Sequence, residues 1–217
     1  MRQLSTVVLI ILALSLTACE SAYYGTLEKV GIHKRDILVD RIEGVKDAQV
    51  EGQRQFKSAL AQFQHTVNFD GGKLEDAYQR LNTEYESSEQ AAATIRARIA
   101  AVESVAEALF DEWEDELGLY TSATLRRQSK AQLTDTRGRF KSLLATMRTA
   151  EKSLEPVLNT LRDNTLYLKH NLNARAIASL KRESATIQAD VNRLIRDMDA
   201  AIAASDRFVA EFERQGQ

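Results

Sequence analysis

Apolar residues recur at alternating three- and four-residue steps through four stretches of the chain. This spacing lays a stripe along one helix face and lets it pack in coiled-coil fashion. The last stretch is the most regular: Ile177, Leu180, Ser184, Ile187, Val191, Leu194, Met198, Ala201, Ser205, Phe208 and Phe212, with two small serines as its polar members. It predicts a helix from about Asn173 to Arg214. The stretch before it runs Leu133, Thr136, Phe140, Leu143, Met147, Ala150, Leu154, Val157, Leu161, Asn164, Leu168. Pro156, the sole proline, falls inside this run. Proline removes a backbone donor and crowds the preceding turn, so a kink is expected there, with the heptad register carried through unshifted.

Two upstream seams complete the set. Leu74, Tyr78, Leu81, Tyr85, Ser88, Ala92, Ile95, Ile99, Val102, Ala106, Leu109 and Trp113 form one; Leu38, Ile42, Val45, Gln49, Gly52, Phe56, Ala59 and Phe63 form the other. Gly44 and Gly52 weaken the latter or admit a close neighbour, since glycine costs about 1 kcal/mol relative to alanine inside a helix. Asp70-Gly71-Gly72 signals a turn, Gly118 followed by Tyr120-Thr121-Ser122 a helix stop and a new cap, and Asn171-Leu172-Asn173 a third boundary. Short connections make successive helices antiparallel. The expected fold is all-α: an elongated antiparallel helical bundle of three to four long helices with coiled-coil heptad packing, over residues 34–217.

The start of the chain departs from this pattern. Arg2 precedes an apolar run from Val7 to Leu16, and Leu16-Thr17-Ala18-Cys19 follows. A spanning helix needs about 20 apolar residues, so residues 1–18 read as a signal peptide. The tetrapeptide resembles the bacterial lipobox, which makes Cys19 the lipidation site and residues 19–33 a tether or short connector. Cys19 is also the only cysteine, so no disulfide competes for it. The residues after it, Glu20 and Ser21, lack the aspartate that favours inner-membrane retention. A lipid-anchored, periplasm-facing protein is expected, on the outer membrane rather than the inner.

Composition agrees with helices and narrows the partners. The chain has 29 basic and 31 acidic residues, nine glycines and one proline. Near-neutral charge and export argue against nucleic acid, and so few turn-formers argue against a β-sandwich or barrel. An up-down-up-down order puts the turns near Gly71 and Asn171 far from the membrane and returns the turn near Gly118 and the C-terminus toward it.

Chemistry-bearing residues are sparse. His33, His65 and His170 lack helical metal-ligand spacing, and no nucleophile elbow, phosphate loop or dinucleotide fingerprint occurs. No catalytic residue, metal site or cofactor is expected. Asp111, Glu112, Glu114, Asp115 and Glu116 form an acidic run at a helix C-terminus, unfavourable against the helix dipole. It reads as a docking patch for a basic partner or a weak cation site, or as a solvated helix end with Trp113 turned inward. His33, Lys34 and Arg35 follow the tether and read as a contact to anionic head groups or as an ordinary exposed helix start. The run from Leu166 through Leu168, Lys169, His170 and Asn171 to Asn173 is apolar on more than one face. A partner contact at the distal tip or packing against the Asp70 turn accounts for it.

The residues from Tyr23-Tyr24 through Lys29-Val30-Gly31-Ile32-His33-Lys34-Arg35-Asp36-Ile37-Leu38-Val39-Asp40-Arg41, with Leu168 to Ala174 and Ala176-Ile177, resemble a family of small helical bacterial lipoproteins known only as a domain of unknown function. The resemblance implies a coiled-coil envelope protein and carries over no functional residue. The expected function is a non-enzymatic scaffold or adaptor that binds an envelope protein partner through helix faces. The alternative is a lipid-binding or membrane-shaping helical protein, with a metal-dependent enzyme behind both. Ile195, Val209 and Leu144 lie beside the seams and would widen the core or form a homo-oligomer seam.

Overall fold

The computed structural model describes residues 33–69, 71 and 73–215. Its helices are α1 (Lys34–Val67), α2 (Leu74–Glu116), α3 (Ala123–Lys152), α4 (Leu154–His170) and α5 (Ala174–Arg214), with a short 3-10 turn at Leu117–Leu119. No strand occurs among the described residues. Cys19 and the expected signal peptide lie outside them, as do Asp70 and Gly72 of the first turn.

The two clearest helix starts follow from their caps. The Ser122 hydroxyl accepts from the Leu125 N–H, and the Asn173 side chain accepts from the N–H groups of Arg175 and Ala176. Each satisfies donors that the first helical turn leaves without an intrahelical partner. The long third stretch is interrupted at Ser153, so α3 and α4 are two helices sharing one stripe. Pro156 is the third residue of α4, where the first turn tolerates a missing donor. The register passes the interruption intact, with Ala150, Leu154, Val157 and Leu161 all buried. Ser153 holds the joint from outside by donating to the Asp197 carboxylate on α5.

Successive long elements run antiparallel. Lys46 meets Asp206 and Gln64 meets Gln188, which fixes α1 against α5. Arg96 meets Glu155, which fixes α2 against α4. α1 packs on α2 and α5, while α3 and α4 also pack on α2 and α5. Four corners result, with α1 diagonally opposite the α3–α4 pair. The longest helix, α2, has 43 residues and spans about 65 Å at roughly 1.5 Å per residue.

The heptad stripes meet along the axis in one continuous core. Phe56, Phe63, Ile95, Ile99, Met147, Leu161, Leu180 and Met198 are among its fully enclosed members. Val209 joins the core, and Leu144 and Ile195 pack half-buried against it, so these three widen the core. Gly52 allows α1 to sit close to α2 and α5: a Cβ there would stand 2.8 Å from Ile95 Cδ1 and 3.4 Å from Met198 Cε. One turn away Gln49 is fully enclosed, and neither its amide nitrogen nor its oxygen has a hydrogen-bond partner. Such a group costs stability where an apolar residue would not.

Candidate functional site

Apart from Val50 in the middle of α1, the exposed large apolar side chains of the described residues lie at the two ends of the bundle, which differ in construction. At the end formed by the C-terminus of α4 and the start of α5, Leu168 is fully buried and anchors the last turn. Asn171 closes the helix: its N–H donates to the Leu168 carbonyl and its side-chain amide to the Tyr167 carbonyl. The Asn173 N–H then donates to the Asn171 carbonyl at 2.8 Å, and its side chain caps α5. Two asparagines therefore make a tight reversal between the helices. The reversal leaves Leu166 50% exposed, with Tyr167 and Leu172 also exposed. Lys169 and His170 are exposed in the last turn of α4, where positive charge is favourable to the helix dipole. The expected distal tip is thus apolar in its exposed part and basic at its edge.

At the opposite end the acidic run divides. Glu112 accepts from the Lys34 ammonium at 3.0 Å, and Glu114 pairs with Arg137 at 2.9 Å. Asp111, Asp115 and Glu116 are exposed. Trp113 is half-buried and donates its indole N–H to the Ser129 hydroxyl at 2.8 Å, tying α2 to α3. The run is partly structural: two of its carboxylates hold neighbouring helices.

The basic residues at the start of α1 are used in the same way. Lys34 is buried against Glu112. The Arg35 guanidinium lies 3.9 Å from the centre of the Phe212 ring and donates to the Phe212 carbonyl. Burial lowers the pKa of Arg35 from its ordinary value. Of the three residues expected to face head groups, only His33 is exposed. Phe212 continues inward as a ring series: it stacks on Phe208 at 5.4 Å, and Phe208 meets Phe140 edge-on at 6.0 Å. Phe140 meets Phe110 edge-on at 5.6 Å. All four helices that reach this level are locked together by it.

Past that level, among the described residues, the bundle thins. α1 begins at Lys34, beside Glu112, and α5 ends near Gln215, which accepts from Thr136. The end of α2 and the part of α3 ahead of Thr136 continue without α1 or α5 beside them, a projection of about 20 Å at roughly 1.5 Å per residue. This two-helix hairpin is held by Trp113, Ser129 and the partly buried Leu117, and its tip exposes Leu119, Tyr120 and Leu125. The heptad pattern gives no sign of the projection, because it marks which face of each helix is apolar and not how helices are offset along the axis.

The remaining candidates stay apart. His33, His65 and His170 are each exposed, and among the described residues no group of three or more His, Cys, Asp or Glu is placed to hold a metal ion. The depressions between helices are open grooves, such as one between α1 and α5 lined by Leu60, Gln64, Val191 and Ile195. Among the described residues no helix is long and apolar enough to cross a membrane.

Compared with known proteins, the chain matches over residues 23–212 the family model described as protein of unknown function (DUF2959). No curated protein and no solved structure matches the chain.

Proposed function

The chain belongs to this family, and from the geometry of its ends we propose that it is a lipid-anchored envelope protein acting as a non-enzymatic adaptor. Cys19 is the lipidation site, and the α4–α5 reversal is the surface that meets another envelope protein. The observation that carries this reading is the exposure of Leu166, Tyr167 and Leu172 around a reversal closed by the hydrogen bonds of two asparagines. Apolar and aromatic groups held on a stiff support lose little conformational freedom on binding, and this favours a defined contact. Lys169 and His170 at its rim favour a partner surface with acidic character.

The start of α1 and this surface lie at opposite ends. α1 begins at the end that carries Glu112 and Phe212, and the reversal sits a full bundle length away. A membrane-anchored rod with its contact surface at the far end suits a protein that bridges the membrane surface to a partner.

The test is photo-crosslinking in living cells from a probe replacing Leu172, compared with one replacing the exposed Lys152 in the middle of the bundle. A discrete protein adduct from position 172 and none from 152 is expected. Adducts at neither site, or the same adducts at both, would overturn the adaptor reading. Acylation is read separately, by the mass of the mature protein and its loss in Cys19→Ser.

A further inference from the structure

The projecting α2–α3 hairpin has no role in the adaptor reading, and its tip is the most exposed apolar feature of the described chain. Leu119 is 79% exposed and Leu125 54%, with the exposed Tyr120 between them in sequence. Behind the tip lies a shallow groove lined by Trp113, Tyr120, Leu125 and Ala131. Exposed Arg126, Arg127 and Lys130 follow on the first turns of α3.

We propose that this tip rests in the interface of the lipid bilayer to which the chain is tethered. Leu119, Tyr120 and Leu125 enter the boundary between head groups and acyl chains, and the basic side chains of α3 meet lipid phosphates. The proposal rests on the reading of Cys19 as the membrane attachment and deepens it by naming a second contact.

Two observations favour a bilayer over another occupant, and a third sets which contact dominates. First, the hairpin projects from the end at which α1 begins, the end that the tether joins. A chain covers at most about 3.6 Å per residue, so the stretch from Cys19 to His33 covers no more than about 50 Å. A projection of about 20 Å at roughly 1.5 Å per residue falls within that reach. Second, the chemistry is interfacial: a tyrosine between two leucines, with cations just behind. Aromatic rings with a polar edge and long basic side chains both favour the head-group level. Third, Asp115 and Glu116 stand at the end of α2, beside the same tip. They oppose a purely electrostatic attraction to anionic lipid, so apolar insertion at Leu119, Tyr120 and Leu125 is the chief contribution, and phosphate contact is available from zwitterionic and anionic lipids alike.

The experiment separates this contact from acylation. The mature chain carrying Cys19→Ser is tethered by an N-terminal polyhistidine tag to nickel-chelating lipid in vesicles of phosphatidylethanolamine and phosphatidylglycerol. A fluorophore is placed at Thr121→Cys on the tip or at Lys169→Cys on the far end, and quenching by acyl-chain nitroxide lipids is read. Strong quenching is expected at 121 and none at 169, and Leu119→Ser with Leu125→Ser should abolish it at 121. No quenching at 121, or quenching that survives the double substitution, would overturn the proposal. Energy transfer between labelled copies at 121 without lipid quenching would also overturn it, and would assign the tip to self-association. Because the tag replaces the acyl group, the result stands whether or not Cys19 is acylated in cells.

Discussion

Tyr85 sits half-buried on α2, one turn before the Glu89 carboxylate, whose interaction with the hydroxyl favours its protonated form. Loss of hydration and that interaction both favour the neutral phenol, pushing its pKa from 10 up to about 12. The folded chain therefore holds this proton over a range where the unfolded chain has released it. The contribution of Tyr85 to stability is constant below pH 10 and is lost as pH rises from 10 toward 12. Chemical denaturation across that range should show the decline, and Tyr85→Phe should make it shallower, the remainder coming from groups such as Lys46 whose pKa is also raised; an equal decline in both proteins would remove Tyr85 as a cause. At the same scale, Lys34 and Arg35 show what a sequence conceals. Read along the chain they are surface charges near a tether, but their partners Glu112 and Phe212 are 78 and 177 residues away. No local pattern reports such a pairing. Their long aliphatic stems also let them cover apolar surface while placing charge on a specific partner.

Among the helices, the two glycines Gly138 and Gly52 are equivalent in sequence propensity and opposite in surroundings. A Cβ at Gly138 meets nothing within 4 Å, while at Gly52 it meets Ile95 and Met198. Gly138→Ala should stabilise the protein by about 0.5–1 kcal/mol by removing backbone freedom from the unfolded chain. Gly52→Val forces a branched side chain between α1, α2 and α5 and should destabilise by about 1–3 kcal/mol. Paired denaturant titrations check both, and a stabilised Gly52→Val would show that α1 can move outward freely. Most of the helices were legible because their stripes are long and regular: every seam residue from Leu133 to Leu168 is buried. Pro156 was legible as a disturbance but not as its position. The interruption falls at Ser153, since a proline is accommodated within a first turn more readily than in a helix middle. At the α4–α5 reversal the boundary near Asn171 could be read from asparagine's preference for turns and caps. Which of its apolar neighbours stay exposed could not, because Leu166 and Leu168 differ only in the face they occupy once α4 has packed.

For the whole molecule, periodicity supplied the bundle and left open the order of its corners and the axial offset between helices. Both follow from long-range pairs such as Arg96 with Glu155 and Thr136 with Gln215. The offset is what creates the projecting hairpin, and the order is what sets the α4–α5 reversal at the other end. The uninterrupted register along all four corners has a further consequence: the molecule is a ruler. Its two ends are separated by a count of helical residues, so the standoff that the proposed adaptor would keep between an anchored base and a distal partner is written in the length of the helices. Removing seven residues in register from each of the four corners keeps every stripe facing inward and shortens the separation by about 10 Å. Removing six rotates the faces beyond the cut out of alignment. A spin-label distance between Thr121 and Leu172 should shrink by that step in the first case, while the second should lose its cooperative unfolding; a cell that depends on the standoff would register the former as a missed connection by an otherwise intact protein.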